Sequence, residues 1–304
     1  MNVLITSGGG AKGAFSVGAL RHLMTTGGIT AFDIISGTST GALIAAMVAG
    51  NKIPDLVDIY LNNSNADVLN PQNAIDNLLN KKPYLYDTAP LENQIRQQID
   101  AATYNNIMQS STLLCLNTIS LQTARLNIFS NKTVQPDQHY DTNIIDSRET
   151  MINALLGSTN QAVFMPPVMI NGNQFVDGGN KEVIPTRVVI SNLSGAADHQ
   201  VYILSNNPDK QLQLTQTFTG LLDVLMRAIT IFIQEVREND LEVLRNYKKI
   251  APVKIKVFYI CPDKELDPVF PTGLRFDNLL MQAWMKQGQL KAKEILKKFP
   301  DGNL

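Results

Sequence analysis

Ser39 is the residue of this chain whose setting most directly predicts chemistry. It lies in the segment Gly-Thr-Ser-Thr-Gly at 37–41, which matches the G-x-S-x-G nucleophile elbow between a strand and a helix. Gly37 and Gly41 allow the sharp turn that keeps the serine hydroxyl exposed. The N-terminus of the following helix favours negative charge near that hydroxyl. The segment predicts a nucleophile for acyl transfer, and the alternative is a serine in an ordinary strand-to-helix turn.

A glycine-rich turn near the start of the chain has two competing interpretations. Gly8, Gly10 and Gly13 fit the G-x-G-x-x-G pattern of dinucleotide-binding folds. That function also needs an acid about 20 residues later, at the end of the second strand, whereas Asp33 lies at the beginning of that strand. In the other interpretation the backbone N–H groups hold an oxyanion, with positive charge from Lys12 nearby. The neighbouring elbow favours the oxyanion hole.

Asp177 is a candidate base for the serine. It is followed by two glycines, and the segment at 175–179 ends a predicted hairpin whose turn is at 171–173. A nucleophilic serine needs a group that takes its proton. The alternative is a turn aspartate that caps its own backbone. Histidine, the usual base, occurs at three positions without a local pattern that indicates catalysis: His22, His139 and His199.

These three motifs, in this order, resemble the signature of the patatin-like phospholipase family. They are Gly-Gly-Gly-Ala-Lys-Gly at 8–13, Gly-Thr-Ser-Thr-Gly at 37–41 and Asp-Gly-Gly at 177–179. The similarity covers most of residues 1–190 and is looser in the remainder. One departure is Ser7, where many members of the family have aspartate.

The resemblance implies a serine lipid acyl hydrolase of the bacterial patatin-like type. It implies a catalytic dyad in which Ser39 is the nucleophile and Asp177 is the base. The implied oxyanion donors are backbone N–H groups of Gly9, Gly10 and Ala11, with Lys12 at a position that commonly holds arginine or lysine. The implied substrates are phospholipids, lysophospholipids or other fatty acyl esters, and no metal or cofactor is implied.

The elements that must position these residues indicate an α/β protein. The predicted strands cover 3–6, 32–36, 113–119, 125–129, 201–205 and 254–260. The predicted helices cover 13–26, 146–156, 218–247 and 276–298. A strand, helix and strand in succession form the βαβ unit of a parallel sheet, and the alternation at 113–129 predicts an antiparallel hairpin. The expected fold is a three-layer α/β/α sandwich around a central, mainly parallel mixed sheet.

The chain is expected to form a single domain, 1–304, because no Pro/Gly/Ser-rich linker or repeat divides it. The region at 54–110 is rich in Asn, Asp and Gln and is interpreted as a variable insertion. It is expected either to cover the active-site edge as an acyl-chain gate or lid, or to pack peripherally without contacting a substrate.

Composition limits the class of protein. A formal net charge of -1 gives no basic field for nucleic acid. Cys115 and Cys261 lie in apolar strand-like runs and are expected to be buried and unpaired. No signal peptide is visible, and no stretch reaches the roughly 20 apolar residues of a membrane helix. We therefore expect a cytoplasmic protein, with peripheral membrane contact as an open alternative.

The helix predicted at 218–247 carries an apolar stripe at helical spacing. Its members are Phe218, Leu221, Leu222, Leu225, Met226, Ile229, Phe232, Ile233 and Val236. Asp223, Arg227 and Glu235 exclude a simple membrane span. The stripe is expected to face the core, and the alternative is a lipid-docking surface.

The expected reaction is a two-step acyl transfer through an acyl-enzyme. Two other classes of function stay open. A dinucleotide-binding oxidoreductase would use 8–13 as a Rossmann turn, and a non-catalytic lipid-binding protein would keep the fold without turnover.

Overall fold

A mixed β-sheet forms the middle layer of the protein. The computed structural model describes residues 1–70, 74–195, 198–210, 217–268 and 272–304. The strands in these residues are β1 (Asn2–Thr6), β2 (Ile34–Thr38), β3 (Leu113–Ser120), β4 (Leu126–Ser130), β5 (Tyr140–Ile144), β6 (Val168–Ile170), β7 (Asn173–Asp177), β8 (His199–Leu204) and β9 (Ile255–Ile260). Their main order is β5-β4-β3-β2-β1-β8-β9, and β7 pairs with both β3 and β6.

Most strand pairs in the sheet are parallel. The pairs β1·β2, β1·β8, β2·β3, β4·β5 and β8·β9 are parallel, whereas β3·β4, β3·β7 and β6·β7 are antiparallel. In the register of the central strands, Thr6 of β1 lies opposite Gly37 of β2 and Leu204 of β8. The carboxyl ends of these three strands therefore meet at one edge, where open α/β sheets bind ligands.

Alternate residues of the central strands join two separate apolar cores. Leu4 and Ile35 pack into the larger core, whereas Val3, Ile5 and Ile34 pack into the second core on the other face. Successive side chains of a strand point to opposite faces of the sheet. Strands that are buried on both faces consist of continuous apolar runs, which explains the apolar segments seen in the sequence.

Helices cover both faces of the sheet. They are α1 (Gly13–Thr25), α2 (Thr40–Ala49), α3 (Ile53–Asn62), α4 (Ala74–Leu79), α5 (Ala89–Gln98), α6 (Ala101–Gln109), α7 (Arg148–Thr159), α8 (Arg187–Asn192), α9 (Leu221–Ile250) and α10 (Asn278–Lys298). The larger core contains side chains of α1, α2, α7 and α10, and the second contains side chains of α8 and the later turns of α9. The predicted three-layer sandwich with a mainly parallel mixed sheet is confirmed.

The region at 54–110 is helical and joins the larger core. Leu56 of α3, Leu91 and Ile95 of α5 and Ile107 of α6 are buried there. Residues 71–73 of this region lie outside the described residues.

The apolar stripe of α9 does not face the core along its whole length, contrary to the expectation from the sequence. Leu221 is 85% exposed and Phe232 is 67% exposed, whereas Met226 and Ile229 are partly buried against the larger core. The 30-residue helix is about 45 Å long, whereas the six-residue strand β9 spans about 20 Å. The sheet therefore covers only part of the helix. The side chain of Leu222 lies outside the described residues.

Both cysteines are free thiols. Cys115 is fully buried, as predicted, but Cys261 is partly exposed because it follows the last residue of β9. None of the helices in the described residues is long and apolar enough to cross a membrane.

Candidate active site

Ser39 lies at a strained turn between β2 and α2. Its backbone has φ 59° and ψ -130°, and a positive φ is uncommon for a residue other than glycine. The turn packs too closely for side chains at the flanking positions. A Cβ on Gly37 would lie 2.2 Å from the carbonyl oxygen of Gly41, and a Cβ on Gly41 would lie 2.2 Å from that of Thr6. Close packing therefore explains both glycines of the motif.

The carboxyl end of α7 contacts both members of the predicted dyad. The N–H of Ser39 donates to the hydroxyl of Ser158 at 3.0 Å, and that hydroxyl donates to the carbonyl of Asn117 at 2.7 Å. The N–H of Asp177 donates to the carbonyl of Asn160 at 3.0 Å. Sequence reasoning missed Ser158, because nothing within α7 indicates that its hydroxyl reaches a turn 119 residues away.

Asp177 ends β7 and is almost fully buried. Its Oδ1 accepts from the N–H of Gly179 at 2.7 Å, which is the backbone cap that the alternative interpretation predicted. Burial raises the pKa of Asp177 to about 6, while the Gly179 N–H and the Ser39 hydroxyl lower the pKa. A carboxylate with such a pKa is ionised at neutral pH and is basic enough to accept a proton from a nucleophile. Capping and base catalysis are thus compatible at this residue.

Two buried carboxylates anchor the loop that follows Asp177. Asp240 of α9 accepts from the N–H groups of residues 183 and 184 at 2.7 and 2.9 Å. Glu182 accepts from the N–H of Arg187 at 2.9 Å. Burial raises the pKa of both carboxyls, and the guanidinium of Arg187 opposes this rise. The loop is therefore held to α8 and α9.

The glycine turn lies beside Ser39. A Cβ on Gly8 would be 3.9 Å from Ser39 Oγ. Gly9 has φ 152° and Gly10 has φ 56°, which L side chains rarely adopt. The N–H groups of Gly9 and Gly10 make no hydrogen bond to any residue that the structure describes. They are therefore available to a ligand at the serine.

Ala11 does not fit its predicted role as an oxyanion donor. Its N–H donates to the carbonyl oxygen of Gly273 at 2.9 Å. Gly273 packs directly on the turn, because a Cβ on Gly10 would lie 2.3 Å from the same oxygen. The donor is occupied by a segment that lies more than 200 residues later in the chain, which no local pattern could indicate.

Lys12, which was expected to add positive charge near the oxyanion site, is paired within the protein. Its side chain is 1% exposed. The ammonium contacts Glu265 Oε1 at 3.0 Å and hydrogen-bonds to the side chain of Asn207. The positive charge is therefore opposed by a carboxylate in the same wall.

The geometry does not support the dinucleotide interpretation. Asp33 accepts from the N–H of Asn2 at 2.7 Å, at the opposite edge of the sheet from the 8–13 turn. Gly13 lies where a Cβ would be 2.5 Å from the hydroxyl of Tyr60, so this glycine is explained by helix packing. The turn therefore lacks its ribose-binding acid.

None of the histidines lines the cavity at Ser39. His22 hydrogen-bonds to Thr26, His139 lies beside Gln138, and His199 lies near the amino terminus. In the described part of the chain no group of three or more His, Cys, Asp or Glu side chains is placed to hold a metal ion.

An apolar cavity leads away from Ser39 and Asp177. Its empty space amounts to about 1640 Å³ including the open mouth. Side chains of α2, α3, α5 and α7 line it, among them Leu43, Met47, Leu56, Leu91, Ile95 and Leu155. Polar residues on its wall include Lys12, Asn207, Gln234, Arg237 and Glu265. The helices of 54–110 thus form one wall of the cavity.

Comparisons with known proteins show the family of the chain. A family model described as patatin-like phospholipase matches residues 4–190. A cUMP-AMP-activated phospholipase from Escherichia coli is 40% identical over 62 residues, which is 19% of this chain and 19% of that protein.

Two solved structures are similar over 98% of this chain. VipD from Legionella pneumophila has 13% identity and a TM-score of 0.45, and 66% of that chain is covered. The type III effector protein ExoU has 12% identity and a TM-score of 0.44, with 52% covered. The chain thus spans between half and two thirds of these proteins. Since the family match covers more than half of the chain and all three motifs, the chain belongs to the patatin-like phospholipase family.

Proposed function

We propose that this protein is a serine lipid acyl hydrolase of the phospholipase A or lysophospholipase type. The observation that carries the proposal is the convergence of three groups on one apolar cavity. These are Ser39 on its elbow, the buried carboxylate of Asp177, and the N–H groups of Gly9 and Gly10. Membership of the family supports lipid hydrolysis, and the convergence supports the Ser-Asp dyad.

In the first half of the reaction, Asp177 accepts the proton of Ser39 as Oγ attacks the ester carbonyl. The N–H groups of Gly9 and Gly10 stabilise the oxyanion of the tetrahedral intermediate. Asp177 then gives the proton to the leaving alcohol, and an acyl-enzyme remains.

In the second half, Asp177 accepts a proton from a water molecule that attacks the acyl-enzyme. The same two N–H groups stabilise the second intermediate. Collapse of that intermediate releases a fatty acid and returns the proton to Ser39.

The lining of the cavity indicates the substrate class. Apolar side chains from four helices surround the space beyond Ser39, and burial of CH₂ groups there contributes roughly 0.8 kcal/mol each. A fatty acyl chain fits this environment, so phospholipids, lysophospholipids and other fatty acyl esters are the proposed substrates.

The first test compares wild type with Ser39→Ala and Asp177→Asn on an ester and phospholipid panel. We expect Ser39→Ala to abolish hydrolysis and labelling by a fluorophosphonate, because both need the same hydroxyl. Asp177→Asn keeps the shape but cannot take the proton, so turnover should fall by about 10² to 10⁴-fold.

Asp33→Asn is the matched control, since this carboxylate lies at the other edge of the sheet, and it should keep full activity. Labelling of Ser39→Ala at the wild-type rate would remove Ser39 as the nucleophile. Loss of activity on changing one histidine, to the extent seen for Asp177→Asn, would replace the dyad with a triad.

A further inference from the structure

Asn206 lies just beyond the end of β8 and packs against the glycine turn. It is fully buried, and a Cβ on Gly9 would lie 2.6 Å from its Cβ. Gly9 lines the cavity at Ser39, whereas Asn206 does not. Asn206 therefore contacts the turn from the side that faces the interior of the protein.

The side-chain amide of Asn206 holds two successive carbonyl groups of the turn. Its Nδ2 donates to the carbonyl oxygen of Ser7 at 3.0 Å and to that of Gly8 at 3.3 Å. Its Oδ1 accepts from the hydroxyl of Ser16 in α1 at 2.7 Å. An amide oxygen in place of Nδ2 would face two carbonyl oxygens without a proton between them. These partners therefore fix which end of the amide faces the turn.

Ser7 supplies a second donor to the same carbonyl group. Its hydroxyl donates to the carbonyl oxygen of Gly8 at 3.0 Å and accepts from the backbone N–H of Asn206 at 3.0 Å. A backbone carbonyl has two lone pairs, and both are used here. The carbonyl of Gly8 is thus held firmly toward the interior.

The partners of the Gly8 carbonyl determine where the N–H of Gly9 points. The two groups belong to one planar trans peptide unit, in which C=O and N–H point in opposite directions. Because the carbonyl is directed at Asn206, the N–H is directed to the opposite side, where Gly9 lines the cavity. Hydrogen bonds to the carbonyl also polarise the peptide unit, by roughly 10–30% per bond, and so strengthen the N–H as a donor.

We propose that Asn206 is a positioning residue of the oxyanion hole. Through the carbonyl of Gly8, it directs the N–H of Gly9 toward the oxyanion that forms at Ser39, and Ser16 keeps its amide in the required orientation. The proposal rests on the proposed function, because it assigns a role within that same site. It places a group on which catalysis depends beyond the family match that ends at 190.

The test compares Asn206→Ala with wild type on a dispersed short-chain ester. Complete loss of one oxyanion donor costs about 10² to 10³-fold in turnover, and a misdirected donor should cost less. We therefore expect kcat to fall about 10- to 100-fold with little change in KM, because the weakened contact belongs to the transition state. Ser16→Ala should lower kcat less, since Asn206 then keeps both bonds to the turn and loses only the bond at Oδ1.

Asn131→Ala is the matched control. The amide of Asn131 is also buried, and its Nδ2 donates to the carbonyls of Ile107 and Thr112 at 2.9 and 3.0 Å. Its Oδ1 accepts from a backbone N–H, that of Leu114 at 2.8 Å. Both variants remove the same atoms and leave buried backbone groups unpaired, so both should lose similar stability in denaturant unfolding. Only Asn206→Ala should lose turnover.

Two inhibitors separate positioning from a general loss of structure. With an alkylboronic acid, Ser39 Oγ bonds to boron as its proton passes to Asp177, and the resulting anionic tetrahedral boronate places an oxygen in the oxyanion hole. An alkyl ether lipid binds without forming such a group. Asn206→Ala should weaken binding of the boronic acid by the same factor as kcat/KM. Its affinity for the ether lipid should stay unchanged.

The outcomes distinguish positioning from the proposed function. Wild-type kcat in Asn206→Ala, an equal loss of turnover in Asn131→Ala, or an equal loss of affinity for both inhibitors would overturn the positioning role. If Asn206→Ala does not fold, Ser16→Ala decides, and wild-type kcat in that variant would overturn the role. A wild type that hydrolyses no ester but binds the boronic acid, with binding weakened by Asn206→Ala, would support positioning and remove the proposed function.

Discussion

Asp177 determines how activity should depend on pH. The carboxyl must be ionised to accept the serine proton, and burial raises its pKa to about 6. We therefore predict that kcat/KM for a dispersed ester is constant above about pH 7 and falls about tenfold per pH unit below 6.

Unfolding would not explain this loss, because protonation of Asp177 acts on stability in the other direction. Its pKa in the folded protein lies above the ordinary value of 3.8. The neutral carboxyl therefore favours the folded state below pH 3.8, and this contribution is lost as the pH rises through about 6.

Two controls accompany the pH profile. The melting temperature, followed over the same range, should not fall in parallel with activity. Asp240→Asn removes another buried carboxylate with a raised pKa. This change should leave the pH at which kcat/KM falls to half unchanged. If kcat/KM of the wild type fell to half only near pH 4, the role of Asp177 as a buried base would be contradicted.

At the residue scale, the three motifs and the family resemblance that they carry predicted Ser39, Asp177 and the glycine turn as neighbours, and all three line one cavity in the structure. The occupied N–H of Ala11 and the ion pair of Lys12 were not predictable. Both depend on Gly273 and Glu265, which reach the turn only through the complete fold.

At the scale of elements, the end of α7 should matter for catalysis although its residues do not contact the reacting atoms in the proposed mechanism. Ser158 accepts from the N–H of Ser39 at 3.0 Å and so supports a backbone with φ 59°. We predict that Ser158→Ala lowers kcat about 10- to 100-fold, because a small displacement of a nucleophile is costly. Its effect on KM should be small.

Ser130→Ala is the matched control for this change. The hydroxyl of Ser130 is also buried and donates to a backbone carbonyl, that of Lys132 at 2.7 Å, but on β4. Both variants should lose about 1 kcal/mol of stability in denaturant unfolding, and only Ser158→Ala should lose turnover. Equal kcat in the two variants would reduce Ser158 to a structural role.

Hydrophobic periodicity predicted where helices and strands form better than it predicted which of their faces are buried. The pattern at 218–247 gives α9 its apolar face, but the sheet is shorter than the helix, so part of that face stays exposed. Strand β5 was not predicted, because it lies at the edge of the sheet and its polar residues Asp141 and Asn143 interrupt any apolar run.

At the scale of the whole molecule, the last third of the chain completes the same sheet and core as the first. Strands β8 and β9 follow β1 in the sheet order, although they lie beyond the family match that ends at 190. Helix α10 packs closely on α1. A Cβ on Gly288 would lie 1.9 Å from the carbonyl oxygen of Phe15, and one on Gly18 would lie 1.8 Å from that of Met285.

This packing predicts a single unfolding transition. Trp284, the one tryptophan of the chain, is buried in α10, so its fluorescence reports on the carboxyl-terminal part, while circular dichroism reports on all helices. The two signals should give the same midpoint in denaturant. Gly288→Ala should lower both midpoints together, with a loss of about 1–3 kcal/mol in the free energy of unfolding, because the added methyl overpacks the contact with α1. The neighbouring exposed change Gln289→Ala should be neutral. If fluorescence changed first and circular dichroism later, α10 would unfold separately, and the chain would not behave as one domain.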